Sequence, residues 1–184
     1  HTFNAIRTQN GHTTNRIGLI LPTSLCSGQI ARMGAERLTQ MGLGRQQGIS
    51  SYVALVHTEG CGVAGESAEH FYNRTMLSYL THPLVACGLL LEHGCEKTHN
   101  DYMRHELEAL NIDPGAFGWA SVQLDGGIEP VLQKVKTWFA SQLTGTGIPV
   151  EEPAGLNALR VGLLTAGPVS DTAAEIVAQF TRTL

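Results

Sequence analysis

Three cysteines recur at nearly equal intervals: Cys26, Cys61 and Cys95 stand 35 and 34 residues apart. Each follows a short apolar run and lies among small or polar residues. The three turns read Thr23-Ser24-Leu25-Cys26-Ser27-Gly28, His57-Thr58-Glu59-Gly60-Cys61-Gly62 and Glu92-His93-Gly94-Cys95-Glu96. A fourth, Gln123-Leu124-Asp125-Gly126-Gly127, carries an acid and no thiol. Thiolate, imidazole and carboxylate are transition-metal ligands, with thiol and imidazole suiting iron or zinc. The glycines in these turns let a ligand approach the backbone closely. Helices that begin just beyond them offer unpaired N–H groups, which favour an anion such as a substrate carboxylate.

Each of these residues also has an ordinary structural reading. A cysteine is more often a small buried hydrophobe than a ligand, and Cys87, inside an apolar run, is read that way. His57 and His93 could hydrogen-bond a loop backbone, Glu59 and Glu96 could cap or solvate loops, and Asp125 could be a helix N-cap. No compact CxxC or HExxH signature is present, so the chemistry is read from common position rather than from a local motif.

That position is set by alternating elements. The apolar runs 16–23, 52–57, 86–93, 117–124 and 159–166 are short and lack strict alternation, as strands buried on both faces do. Helix-period segments lie near 28–41, 67–81, 99–110 and 127–143. In the last, Ile128, Val131, Leu132, Val135, Trp138 and Phe139 make one apolar stripe. Ser67 and Thr98 are expected as caps. The pattern predicts an α/β fold in three layers, a mainly parallel sheet built from Rossmann-like βα repeats with right-handed crossovers. Ligands bind such sheets beyond the carboxyl ends of the strands, and spacings of one βα unit would turn the three thiols toward one crevice.

The domain is expected over 1–143. Residues 144–157, rich in Gly and Pro, read as a linker, and 158–184 as the start of a further α/β region. His1 is not Met and the last segment stops in mid-helix, so the chain is expected to be part of a longer polypeptide and inactive alone. Its 184 residues can bury a real core. With a net charge of -4 and no basic patch, nucleic acid is not an expected partner. No apolar run approaches the roughly 20 residues that cross a bilayer, and no signal-peptide pattern is present. The expected setting is the cytoplasm, with all four cysteines as free thiols. A homo-oligomer is compatible with the sequence.

At these same residues the chain resembles the altronate/galactarate dehydratase family, the UxaA type. The matching elements are Asn10-Gly11 with Asn15-Arg16, Leu21 to Ser27 around Cys26, Val56 to Gly62, His82-Pro83, Gly94-Cys95-Glu96, Gln123 to Gly127, and Leu164 to Pro168. The paired His-x-x-Gly-Cys-Gly and Gly-Cys-Glu elements are the most specific. The family's opening reads Gly-Thr-Arg-Asn, whereas this chain has Thr13-Thr14-Asn15-Arg16, and Glu92-His93 replaces a second Gly with apolar neighbours. The resemblance implies elimination of water from a hexonic or hexaric acid to give a 2-keto-3-deoxy acid. It also implies a divalent metal, commonly Fe2+, with Mn2+ or Zn2+ as alternatives, and a central position within the same polypeptide.

For that reaction the expected metal ligands are Cys61, Cys95, His57 and Cys26. His57, Glu59, His93 and Glu96 are the candidates for proton transfer. Arg16, Ser27, Gly62 and Asp125 are the candidates for holding the sugar acid, Arg16 through its planar fork. Two other classes remain open: a non-catalytic module binding an acid sugar or a metal, and a two-thiol racemase or isomerase that uses no metal.

Overall fold

Thr2–Thr8 (β1) turns back through Gln9-Asn10 into Gly11–Thr13 (β2), with Thr8 facing Gly11 across the turn. The computed structural model describes residues 1–159 and 166–183. Four βα units follow the hairpin. They are Ile17–Pro22 (β3) with Leu25–Gln40 (α1), and Ser51–Ala54 (β4) with Glu66–Leu80 (α2). Then come Val85–Glu92 (β5) with Asn100–Ala109 (α3), and Gly118–Ser121 (β6) with Ile128–Leu143 (α4). The four strands form a parallel sheet in the order β4-β3-β5-β6.

Side chains alternate across each strand, so the central strands feed two cores. Ile20, Leu89 and Leu91 pack with Ile30, Ala31, Ala35 and Leu38 of α1 and Val131, Val135 and Phe139 of α4. Leu19, Leu21 and Leu90 pack on the other face with Tyr72, Met76 and Leu77 of α2 and Met103 and Leu107 of α3. The result is the expected three-layer α/β arrangement. Close packing demands glycine in places: a Cβ on Gly18 would lie 2.4 Å from the ring of Tyr52, its neighbour on β4.

Helices α1 and α4 cover one face, α2 and α3 the other, because crossovers leaving β3 and β5 run in opposite directions along the sheet. The strand order therefore reverses between β3 and β5. Beyond their carboxyl ends lies the crevice where such sheets take ligands.

The structure departs from expectation in several places. Glu151–Gly155 (β7), within the stretch read as a linker, pairs antiparallel with β1, giving a second sheet in the order β2-β1-β7. Pro153 is tolerated there because β7 is an edge strand. Helix α1 begins at Leu25, so Cys26 lies in its first turn rather than in a loop. The expected caps are displaced: Gly65 precedes α2, with Ser67 inside the helix, and His99, not Thr98, caps α3 by accepting from Tyr102 N. The strand expected at 159–166 falls largely outside the described residues. Asp171–Thr183 (α5) follows it. Among the described residues, no helix is long and apolar enough to cross a membrane.

Candidate functional site

The turn after β3 is the floor of the crevice. Thr23, Ser24 and Ser27 are fully buried there, and the Thr23 carbonyl accepts from Tyr72 Oη at 2.7 Å and Thr98 Oγ1 at 3.1 Å. The β4–α2 loop is pressed onto this floor. Leu25 N donates to the Glu59 carbonyl at 3.0 Å. Gly60 adopts φ +113°, and a Cβ on it would stand 2.4 Å from the Thr23 carbonyl oxygen, so both conformation and contact require glycine.

This approach brings two thiols together. Cys26 Sγ lies 3.5 Å from Cys61 Sγ, and both residues are exposed. The hydrogen bond with Cys26, then burial, then the nearby Cys26, Cys95 and Glu96 push the Cys61 thiol up from its ordinary value. Cys95 stands on the adjoining β5–α3 turn, exposed, with its Sγ 3.4 Å from His93 Nδ1. Gln123 Nε2 approaches the same nitrogen at 3.5 Å. Which way the hydrogen bonds at Nδ1 run follows the tautomer of the ring. The three thiols thus share the carboxyl edge of the sheet, and all four cysteines are unbridged. Cys87, opposite Gly18 within β5, is half-buried against the core, and burial pushes its thiol up to about 12.

The other sequence candidates fall into different places. Glu96 is a structural tie. Its Oε1 accepts from Thr23 Oγ1, Ser24 Oγ and His93 N, and its Oε2 from Gly94 N and Cys95 N. Burial works against ionisation, but these donors outweigh it and hold the carboxyl at about 2. A carboxylate so occupied has no proton to give and no lone pair aimed outward.

His57 is occupied as well: Nε2 donates to the Pro22 carbonyl at 2.8 Å and Nδ1 accepts from Glu59 N at 3.2 Å. Both nitrogens serve the backbone, which leaves neither for a metal or a proton transfer. Ser27 Oγ is turned inward to the Ser24 carbonyl. Asp125 accepts from Ser121 N and pairs with Lys134 at 2.8 Å, closing the β6–α4 turn, while Gly127 takes the N-cap position. Arg16 precedes β3 and so lies at the opposite end of the sheet from the thiols, donating to the Gln47 carbonyl at 2.9 Å. Gly62 is open, with nothing near the position of an added Cβ. The Glu59 side chain is exposed, and among the described residues its one hydrogen bond is from Thr58 Oγ1, at 3.4 Å.

A cavity of about 780 Å³ lies away from the thiols. It lies beside the β4 edge with a mainly apolar wall that includes Val56, Phe71 and Met76, and it meets the thiol site only at His57 and Glu59. Arg32 of α1 also lines it. That residue drew no notice in the sequence, where it is one exposed arginine on a helix. It lies six residues beyond Cys26, short of two full turns and on a different face of α1, so no spacing in the sequence singles it out.

The donor set is thiol-rich and incomplete. Among the described residues, no three of His, Cys, Asp and Glu converge as a metal-holding group. Cys26 and Cys61 are two soft donors side by side, with Cys95 on the neighbouring turn, and that chemistry suits iron or zinc over magnesium or calcium.

Comparison with known proteins adds one match. The family model described as D-galactarate dehydratase/altronate hydrolase, second domain, matches residues 7–142. Neither the curated proteins nor the solved structures compared with the chain give a match.

Proposed function

The chain belongs to the D-galactarate dehydratase/altronate hydrolase second-domain family, and from that membership we propose that it carries the thiol side of a hydro-lyase site acting on a hexonic or hexaric acid. The observation that supports this most directly is the meeting of Cys26 and Cys61, 3.5 Å apart, at the crevice where the strand order reverses. Cys95 and His93 stand on the other side of that crevice.

In the reaction, a 2,3-dihydroxy acid loses its C2 proton and its C3 hydroxyl, and the enol product tautomerises to the 2-keto-3-deoxy acid. Cys26 and Cys61 would be the adjacent donors to iron(II), and Cys95, which does not converge with them here, would have to move in from its turn to join them, with further ligands from the substrate. When bound, that ion supplies Lewis-acid stabilisation of the carboxylate and of the enediolate that develops from it. Glu59, exposed and in no ion pair among the described residues, is the base for the C2 proton. His93, in its protonated imidazolium form, is the acid that delivers a proton to the departing hydroxyl and is left as neutral imidazole. Arg32 takes the carboxylate-binding role for which Arg16 stands at the wrong end of the sheet. Glu96 and His57 act by holding the thiol-bearing turns in place.

The full-length protein, reduced and supplied with iron(II) under anaerobic conditions, should convert galactarate or altronate to a 2-keto-3-deoxy acid, read by trapping the carbonyl. Absence of product from a full panel of hexonic and hexaric acids, with iron bound, would overturn the assignment.

A second reading is a binding module without turnover. It draws on the lack of three converging ligands among the described residues and on the occupation of His57 and Glu96 by backbone. Calorimetric binding of a sugar acid with no product would favour it.

A further inference from the structure

We propose that Cys26 and Cys61 form a reversible disulfide that closes the thiol site under oxidising conditions. The bond rests on geometry alone; its consequence for turnover rests on the dehydratase reading.

The two sulfurs are already in van der Waals contact at 3.5 Å, and both residues are exposed to solvent. Bond formation needs an S–S separation of about 2.05 Å, so the sulfurs must close by roughly 1.5 Å. Cys61 can supply that movement, because residues 55–65 between β4 and α2 contain no helix or strand. Cys26 is the fixed partner, carried in the first turn of a 16-residue helix. Cys26 is the thiol in contact with Cys61, while Cys95, though near enough to act on Cys61, is turned to another partner. Cys95 Sγ faces an imidazole nitrogen instead of a sulfur, and Cys87 lies half-buried within β5.

The oxidant class is a hydroperoxide. One thiolate attacks the peroxide oxygen, the O–O bond breaks, and the sulfur becomes a sulfenic acid as hydroxide takes up a proton to leave as water. The second thiol attacks that sulfur; the S–S bond forms, the S–O bond breaks and a second water leaves. Two thiols and one hydrogen peroxide thus give one disulfide and two waters. A dithiol reverses the step by exchange. The bridged pair offers no thiolate, so a soft metal loses two adjacent donors at once.

The test uses the reduced protein, treated with equimolar hydrogen peroxide, then blocked with iodoacetamide and digested with trypsin without reduction. We expect peptide 17–32 joined to peptide 46–74, while peptide 75–97 carries Cys87 and Cys95, both alkylated. Dithiothreitol should separate the pair. Cys26→Ser should abolish the joined peptide while its thermal melt shows the protein folded.

A peroxide-treated protein with Cys26 and Cys61 both alkylated, or with Cys61 joined to Cys95, overturns the proposal. If the joined peptide forms and turnover persists undiminished, the bridge does not close the site and the proposal fails on that arm. If the reduced full-length protein turns over no sugar acid, the dehydratase reading fails, and iron retention before and after peroxide decides the closure, with loss of iron supporting it and full retention overturning it.

Discussion

Glu96 reaches across the crevice to Thr23, its Oε1 accepting from Thr23 Oγ1 at 2.8 Å, so one carboxylate joins the turn that carries Cys95 to the turn that precedes Cys26. The residue is buried and its charge is met by Gly94 N and Cys95 N from its own turn. It occupies the place in the sheet where a doubly wound fold takes an anion. What looks in sequence like a catalytic acid is the clasp that shapes the site.

This clasp makes stability depend on pH in a defined direction. The folded carboxyl is held at about 2, below its ordinary 4.5. Its contribution is therefore complete above the ordinary value and is lost as pH falls from about 4.5 through 2. Such a difference corresponds to roughly 3 kcal/mol at neutral pH. Glu96→Gln should lower the melting temperature at pH 7 and flatten its fall between pH 5 and 2.5, measured by circular dichroism. An unchanged acid limb in the variant would place the titrating group elsewhere.

The comparison between sequence and structure turns on the same residue. The strand and helix pattern was readable because all of β3 and the later part of β5, from Gly88 to Glu92, are buried, which gives uninterrupted apolar runs such as Leu19 to Leu21 and Leu89 to Leu91. The antiparallel hairpin was not, since β1 buries only Ala5 and β7 only Ala154, leaving no period to detect. The common edge of the three thiols followed from strand ends and thiol spacing. Roles did not follow, because whether His57 or Glu96 faces ligand or backbone depends on contacts to Pro22 and Thr23, which lie 35 and 73 residues away. Arg16 was placed by resemblance to a motif and not by which end of β3 it precedes.

Arg32 and Arg16 should separate cleanly in kinetics. Arg32 lines the cavity shared with Glu59, while Arg16 is bound to the Gln47 carbonyl at the far end of the sheet. Arg32→Gln should raise KM for a sugar acid about tenfold, the loss of roughly 1.4 kcal/mol of binding, with kcat within about twofold. Arg16→Gln should leave KM unaltered. Equal KM effects from both would remove Arg32 from the substrate site.

For His57 the discriminating measurement is bound iron. The ring joins Pro22 O to Glu59 N and so fixes the loop that presents Cys61. His57→Ala should cost about 1–3 kcal/mol through the unmet backbone groups. His57→Gln can still donate an amide N–H to Pro22 and should recover much of that loss. Iron per chain should match the wild type in His57→Gln; its disappearance from a well-folded His57→Gln protein would make the ring a ligand after all.

The thiols themselves decide between chemistry and packing. Cys26, Cys61 and Cys95 are exposed, so truncating them removes little buried surface and leaves no enclosed cavity. Cys87 is half-buried against the core formed with Phe139 and Tyr52, so its truncation costs packing and touches no reactive group. Cys26→Ala, Cys61→Ala and Cys95→Ala should each weaken iron binding by tenfold or more, as loss of a donor does, and abolish turnover while melting within a degree or two of the wild type. Cys87→Ala should keep iron and turnover and lose about 1 kcal/mol of stability. Iron content, product formation and thermal melts on the four variants give the answer together. Exposed-thiol variants that retain iron and activity while melting far below the wild type would show that the sulfurs hold the turns together and that the reaction is carried elsewhere.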